Sequence, residues 1–270
     1  MLTNERNTVL APHLSWSQIS LFMRCAKAYY EKYIMCAPQR PTYSLLSGKS
    51  VHKGLELHNR ELARNRPGMK VKDIVDASVA AFDAAPDLAE LDVPAAKGRD
   101  QLVEDITDPV RSYLADVEPK DLDYAKPAAE GDVEKEVWFE VAGQKFVGYV
   151  DVVLPGLVVD YKLLGRLKSA QDVEKDGQLV LYSRALQRPA AFVQLVRGRA
   201  RTTLTKQTIS PAVSRGVMKS IEDAVRSIEI AKQTGHWPQC DAKNWMCGPT
   251  TCEYFRKCYA GTGGDYGTNG

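Results

Sequence analysis

A chain of 270 residues with 44% hydrophobic content can bury one substantial core, and 36 Lys and Arg against 34 Asp and Glu leave it at a formal net charge of +2. No stretch approaches the roughly 20 apolar residues of a membrane span, and MLTNERNTVLAPHLS at the N-terminus lacks the apolar centre of a signal peptide. These features exclude a spanning or exported protein and predict a soluble cytoplasmic one.

In chain order, Ser15 or Ser17 caps a helix expected to run to about Ile34, with Tyr29, Tyr30 and Tyr33 along one face. A second helix is expected from about Ser47 to Arg64. The Ala-rich, acidic part to about Pro119 reads as two or three helices broken at Pro67-Gly68, Pro86 and Pro94. Strands follow at Glu134 to Val141, Lys145 to Leu154 and Leu157 to Leu163, then a helix around Lys175 to Leu186. Two more strands are expected at Ala191 to Arg197 and Thr202 to Ser210, and a long helix from Pro211 to Thr234. The closing GTGGDYGTNG has little to bury and reads as a disordered tail, residues 261–270.

The segment GYVDVVLPGLVVDYK, Gly148 to Lys162, carries the chemistry. Asp151 and Asp160 are equidistant from the Pro155-Gly156 turn, so a symmetric hairpin makes them cross-strand partners with Cβ atoms roughly 5 Å apart. Lys162 shares the face of Asp160, because side chains alternate along a strand. Two carboxylates buried side by side repel, and a Mg²⁺ or Mn²⁺ ion between them would offset the cost. Such a centre suits metal-assisted phosphodiester hydrolysis, with Lys162 helping to deprotonate or orient the attacking water or neutralising charge on the phosphate. A structural ion pair at a sheet edge is the plainer alternative.

An Asp followed some ten residues later by Asp-x-Lys resembles the core of the PD-(D/E)XK nuclease superfamily. The wider chain resembles its RecB-like branch, which includes the RecB and AddB nuclease domains, CRISPR-associated RecB-like exonucleases and phage exonucleases. Five blocks match in order: LSWSQISLFMRCAKAYYEKY, GKSVHKGLE with His52, GYVDVV with Asp151, VVDYK with Asp160 and Lys162, and QLVLY with Gln178 and Tyr182. Residues 59–130 carry no such likeness and are expected as a helical insertion.

The resemblance implies an α/β, restriction-endonuclease-like fold: a mixed central sheet flanked by helices, one nuclease domain over residues 1–260. It implies a metal-dependent DNA exonuclease in which His52, Asp151, Asp160 and the Tyr161 carbonyl hold Mg²⁺ or Mn²⁺, and Asp151, Asp160, Lys162, Gln178 and Tyr182 form the catalytic set. Gln178 and Tyr182, four apart on a helix, would position the substrate. Glu56 shares a face with His52 and reads equally well as a solvated or locally paired carboxylate. Between Gly177 and Ile221 there is no Asp or Glu, whereas Asp73 to Glu136 is rich in both. Arg184, Arg197, Arg199 and Arg201 in that basic stretch would bind DNA.

Six cysteines in an intracellular chain suggest metal or cluster ligation before disulfides. RecB-like nucleases with an iron-sulfur cluster take one Cys from the N-terminal block and three from a C-terminal one. The resemblance therefore implies a [4Fe–4S] cluster on Cys25, Cys247, Cys252 and Cys258, with residues 240–258 packed on the N-terminal helix. A structural Zn²⁺ on the same thiolates and unligated cysteines are the alternatives, with Cys240 in reserve and Cys36 read as a small apolar residue. The gap of four residues between Cys247 and Cys252 departs from the family's usual two. DNA ends or single strands are the implied partner, with recombination or CRISPR-adaptation proteins as possible companions. A non-cleaving DNA-binding module and a structure-specific endonuclease stand as alternatives.

Overall fold

The computed structural model describes residues 13–39, 41–86, 88–91, 95–123, 125–206, 210–249 and 251–259. The expected tail at 261–270 and the end of the strand expected to reach Ser210, at 207–209, lie outside the described residues. The elements are α1 (Trp16–Arg24), α2 (Ala26–Tyr29), α3 (Tyr43–Ala63), α4 (Val71–Asp83), α5 (Ala95–Ser112), β1 (Val133–Val141), β2 (Gln144–Leu154), β3 (Leu157–Leu164), α6 (Ala170–Glu174), α7 (Gly177–Leu186), β4 (Ala190–Val196), β5 (Thr202–Lys206), α8 (Pro211–Thr234) and α9 (Phe255–Tyr259). No helix among the described residues is long and apolar enough to cross a membrane.

The five strands form one mixed sheet in the order β1-β2-β3-β4-β5. Ala142 and Gly143, at φ 51° and 77°, turn β1 into β2, the positive-φ pair that a two-residue hairpin needs. Pro155 presets the next turn and Gly156 closes it at φ 83°. β3 runs parallel to β4, with α6 and α7 in the crossover between them, and β4 pairs antiparallel with β5. The α/β architecture with helices flanking a mixed sheet is as the sequence implied.

The chain divides into two compact units, Met1–Arg40 with Glu140–Phe146 and Ser220–Gly270, and Pro41–Phe139 with Val147–Lys219. In the larger unit one core joins Ile74, Phe82, Leu102, Ile106, Val110 and Tyr113 of the helices to Val152, Leu154, Val159, Tyr161, Val193 and Leu195 of the sheet. The segment expected as an insertion is thus the helical layer over one sheet face. On the other face Val150, Val153, Val158 and Phe192 pack with Leu179 and Tyr182 of α7.

In the smaller unit the helix expected to run unbroken to Ile34 is interrupted. Ser15 caps α1 by accepting from Gln18 N, but Cys25 is extended at φ −163°, and the chain restarts as α2 and a π-type turn over Tyr30–Ile34. Trp237 fills the aromatic cluster beside it, stacked on Tyr29 with centroids 5.7 Å apart. Glu31, buried there, pairs with Lys27 at 3.0 Å and with Lys257. Gln39 bonds Glu253 and Tyr254 at 2.9 and 2.8 Å, which ties the cysteine-rich segment to the stretch that follows the N-terminal helices.

Candidate active site

β2 and β3 pair as Val152↔Val159, Val153↔Val158 and Leu154↔Leu157, a register that places Asp151 opposite Asp160 one step on. The flush pair expected there does not form. Val150 and Val153 face one core while Val152 and Leu154 face the other, so the alternation slips by one residue at Asp151, as at a bulge. The slip turns the carboxylate inward. Asp151 Oδ2 accepts from Tyr161 N at 2.6 Å, and Oδ1 lies 3.1 Å from His52 Nδ1.

His52 reaches this point from α3, which Thr42 caps by accepting from Leu45 N. Burial works to lower the imidazole pKa, and the Asp151 charge outweighs it, raising the group to about 9. Asp160 and Lys162, two apart on β3, face α7. Lys162 Nζ sits 2.6 Å from Asp160 Oδ2 as an ion pair, and that fully enclosed oxygen still receives no well-aligned hydrogen bond. Burial pushes the Asp160 carboxyl up in spite of Lys162. Burial also opposes the charge on Lys162, but Asp160 more than compensates and keeps its pKa above the ordinary value.

Gln178 joins the two. Its Nε2 donates to Asp160 Oδ1 at 2.9 Å and its Oε1 accepts from Lys162 at 3.0 Å. Asp176 caps α7 by accepting from Gln178 N, which fixes where that side chain starts. Tyr182 lies 3.2 Å from Gln178 Nε2 and donates to the Tyr149 carbonyl at 2.8 Å. Tyr161 is buried beneath, its hydroxyl accepting from Asn59 at 3.0 Å and lying 3.0 Å from that of Tyr113. This anchors the strand between the two aspartates.

Other sequence-derived residues fare differently. Glu56 is engaged by Lys53 at 2.7 Å and Arg60 at 2.8 Å; burial acts to raise its carboxyl, but these two bonds hold it below the usual range. Arg197 is bound to Ser47 at 2.8 Å and Asp105 at 3.3 Å, which fixes it as a link within the fold. Arg184 on α7, and Arg199 and Arg201 in the turn after β4, are exposed. Glu134 was missed. At φ 52° it lines a cleft with His52, Ser44, Lys49 and Lys53, and burial together with the Asp151 charge raises its carboxyl to about 7. Its signal in the sequence was weak: one acid among several in EGDVEKE.

The donor chemistry suits a hard divalent ion: two carboxylates, an imidazole, and an enclosed Asp160 oxygen lacking an aligned partner. Yet among the described residues no three His, Cys, Asp or Glu side chains are gathered closely enough to hold a metal. Asp151 is turned onto the Tyr161 amide and Asp160 onto Lys162, so both carboxylates are engaged by protein. The cysteines show a similar tension. Cys25, Cys240, Cys247, Cys252 and Cys258 all line one cavity of about 210 Å³. Burial, then Cys25, pushes the Cys240 thiol up to about 12. Cys36 is exposed, at φ 47°, rather than the small apolar filler its sequence context suggested.

The family model for the PD-(D/E)XK nuclease superfamily matches residues 13–259. No curated protein matches the sequence. A crystal structure of a provisionally named exonuclease from Eubacterium rectale is similar in fold, with TM-score 0.57 and 14% identity, covering 90% of this chain and 91% of that one. The crystal structure of SSO0001 aligns with TM-score 0.32 and 13% identity over 85% of this chain and 91% of that one, too distant to bear on the argument.

Proposed function

Since the chain belongs to the PD-(D/E)XK nuclease superfamily, we propose that it is a Mg²⁺- or Mn²⁺-dependent DNA exonuclease of the RecB-like kind, acting on single strands or strand ends. The observation that carries this reading is the pair of side-chain clusters on the adjacent strands β2 and β3, Asp151 with His52 on one and Asp160 with Lys162 and Gln178 on the other. His52, Asp151, Asp160 and the Tyr161 carbonyl would hold the ion, which supplies Lewis-acid stabilisation of a phosphodiester and an activated water.

The residues' own work follows from their contacts. Lys162, kept protonated by Asp160, acts as a cation that neutralises charge building on the phosphate rather than as a base. Gln178 holds Asp160 and Lys162 in register, and Tyr182 ties that amide to β2 through the Tyr149 carbonyl. Attack of water on phosphorus and departure of the strand's oxygen leave two ends, and His52 must give up its extra proton to serve as a ligand. Arg184, Arg199 and Arg201 are exposed cations available to the DNA backbone.

Five thiols on one cavity support the [4Fe–4S] staple within the smaller unit, because such a cluster needs four. The raised thiol pKa values of Cys240, Cys252 and Cys258, which burial sets first, mean that ligation would have to displace protons. Anaerobically purified protein is expected to be brown and to absorb near about 400 nm. A colourless protein containing zinc would favour the alternative ion.

The test of the enzyme is degradation of end-labelled linear and circular single-stranded DNA with and without Mn²⁺. Asp160→Ala is expected to lose at least about a hundredfold in rate while keeping its fold by circular dichroism. Undiminished cleavage by that variant overturns the proposal, and cleavage of circles replaces exonuclease with endonuclease.

A further inference from the structure

Two large aromatic side chains stand in solvent beside the catalytic strands: Trp138 on β1 is 53% exposed and Tyr149 on β2 is 54% exposed. Their direction follows from their neighbours. Val137 and Val150 are buried in the core under α7, and a Cβ added at Gly148 would meet the Tyr182 ring at 2.5 Å, so positions 148 and 150 face α7. Trp138 and Tyr149 therefore project from the opposite face of the sheet.

Glu136 lies between them. Its carboxylate accepts from the Trp138 indole N–H and, at 3.2 Å, from the Tyr149 hydroxyl. The polar edges of both rings are thus satisfied by protein, and the rings are held on the surface. Tyr149 is two residues from Asp151, roughly 7 Å along the strand. Glu134, two residues before Glu136, lines the adjoining cleft with His52, Ser44, Lys49 and Lys53. Held aromatic rings, with ammonium groups in the adjoining cleft and catalytic carboxylates a step away, match a strand that offers both base faces and phosphates.

We propose that Trp138 and Tyr149 form a stacking platform for the unpaired bases of single-stranded DNA entering or leaving the Asp151–Asp160 centre. The inference rests on the nuclease reading and deepens it by narrowing the substrate to single strands and naming the residues that hold the bases, because a duplex keeps its base faces covered while a single strand presents them. Lys49 would take the backbone of the same strand, since Lys53 is paired with Glu56.

The test is fluorescence anisotropy in EDTA with labelled oligothymidylate, an abasic strand of equal length and a duplex. Trp138→Ala and Tyr149→Ala are each expected to weaken oligothymidylate binding about tenfold and to leave abasic binding unchanged, with Trp138→Phe close to the unmodified protein. Oligothymidylate binding unaltered in both alanine variants overturns the platform, as does an equal loss on the abasic strand. Because no metal or cleavage is involved, this outcome is separate from the Asp160→Ala result, which bears on the nuclease reading alone.

Discussion

Gln178 shows what one residue's spacing can and cannot reveal. The four-residue interval to Tyr182 put both on one helical face, and that face does meet the aspartate centre. What the interval could not carry was the partner: the amide is spent on Asp160 and Lys162. On the nuclease reading proposed above, Gln178 is a positioning residue whose loss should act on turnover more than on binding. Gln178→Ala is expected to lower kcat about tenfold with KM changed little, whereas a substrate contact would raise KM. Gln178→Glu should be worse, since it sets a second carboxylate against Asp160. Arg197 teaches the same lesson from the other side. Its place in a basic run suggested DNA, but its partners Ser47 and Asp105 lie far away in sequence, where no local pattern can point. Asp151 and Asp160 were legible because the Pro155-Gly156 turn fixes their register, and the slip at Asp151 was not, because it depends on packing against both cores.

At the scale of elements, the strand pattern was readable wherever alternation or a β-rich run was bounded by Gly and Pro, and α8 began at Pro211 and ended at Thr234 as expected. The helices were less so. The helix expected over Lys175 to Leu186 is α7, started by its Asp176 cap at Gly177, but the short α6 before it, capped by Ser169, was not expected. The approach of α3 to α4 depends on a glycine. A Cβ at Gly54 would lie 2.3 Å from Ser78 Oγ and 2.7 Å from the Ile74 carbonyl, the same two atoms that bond each other at 2.8 Å. Gly54→Ala is expected to destabilise the protein by about 1–3 kcal/mol, because backbone cannot move aside as a flexible side-chain end can. Gly48 lies on the same helix with nothing within 4 Å of an added Cβ. There alanine should gain up to about 1 kcal/mol from helix propensity alone. Urea denaturation of the two variants separates crowding from propensity: equal shifts in the same direction would show that the contact at Gly54 carries no cost.

At the scale of the whole chain, residues near the two ends are joined within the smaller unit, and Glu31 is the charged part of that joint. It is buried, it pairs with Lys27 one turn before it, and it pairs with Lys257 beside the last cysteine. No sequence pattern links positions 226 residues apart, which is why the cysteines suggested the closure and Glu31 did not. Burial by itself would raise the Glu31 carboxyl; hydrogen bonds from Lys257 and then Lys27 reverse this and hold it below its ordinary 4.5. A carboxyl lowered by folding contributes stability that is complete above the unfolded value and is lost as pH falls through the folded one. The pair should thus stabilise the protein fully at pH 7 and fade below about pH 4.5. Glu31→Gln is expected to lower the urea midpoint at pH 7, with the gap from the unmodified protein closing as the pH is brought to about 3. A gap that stays constant across this range would mean that the side chain contributes by shape and hydrogen bonding alone, and that its charge does not hold the ends of the chain together.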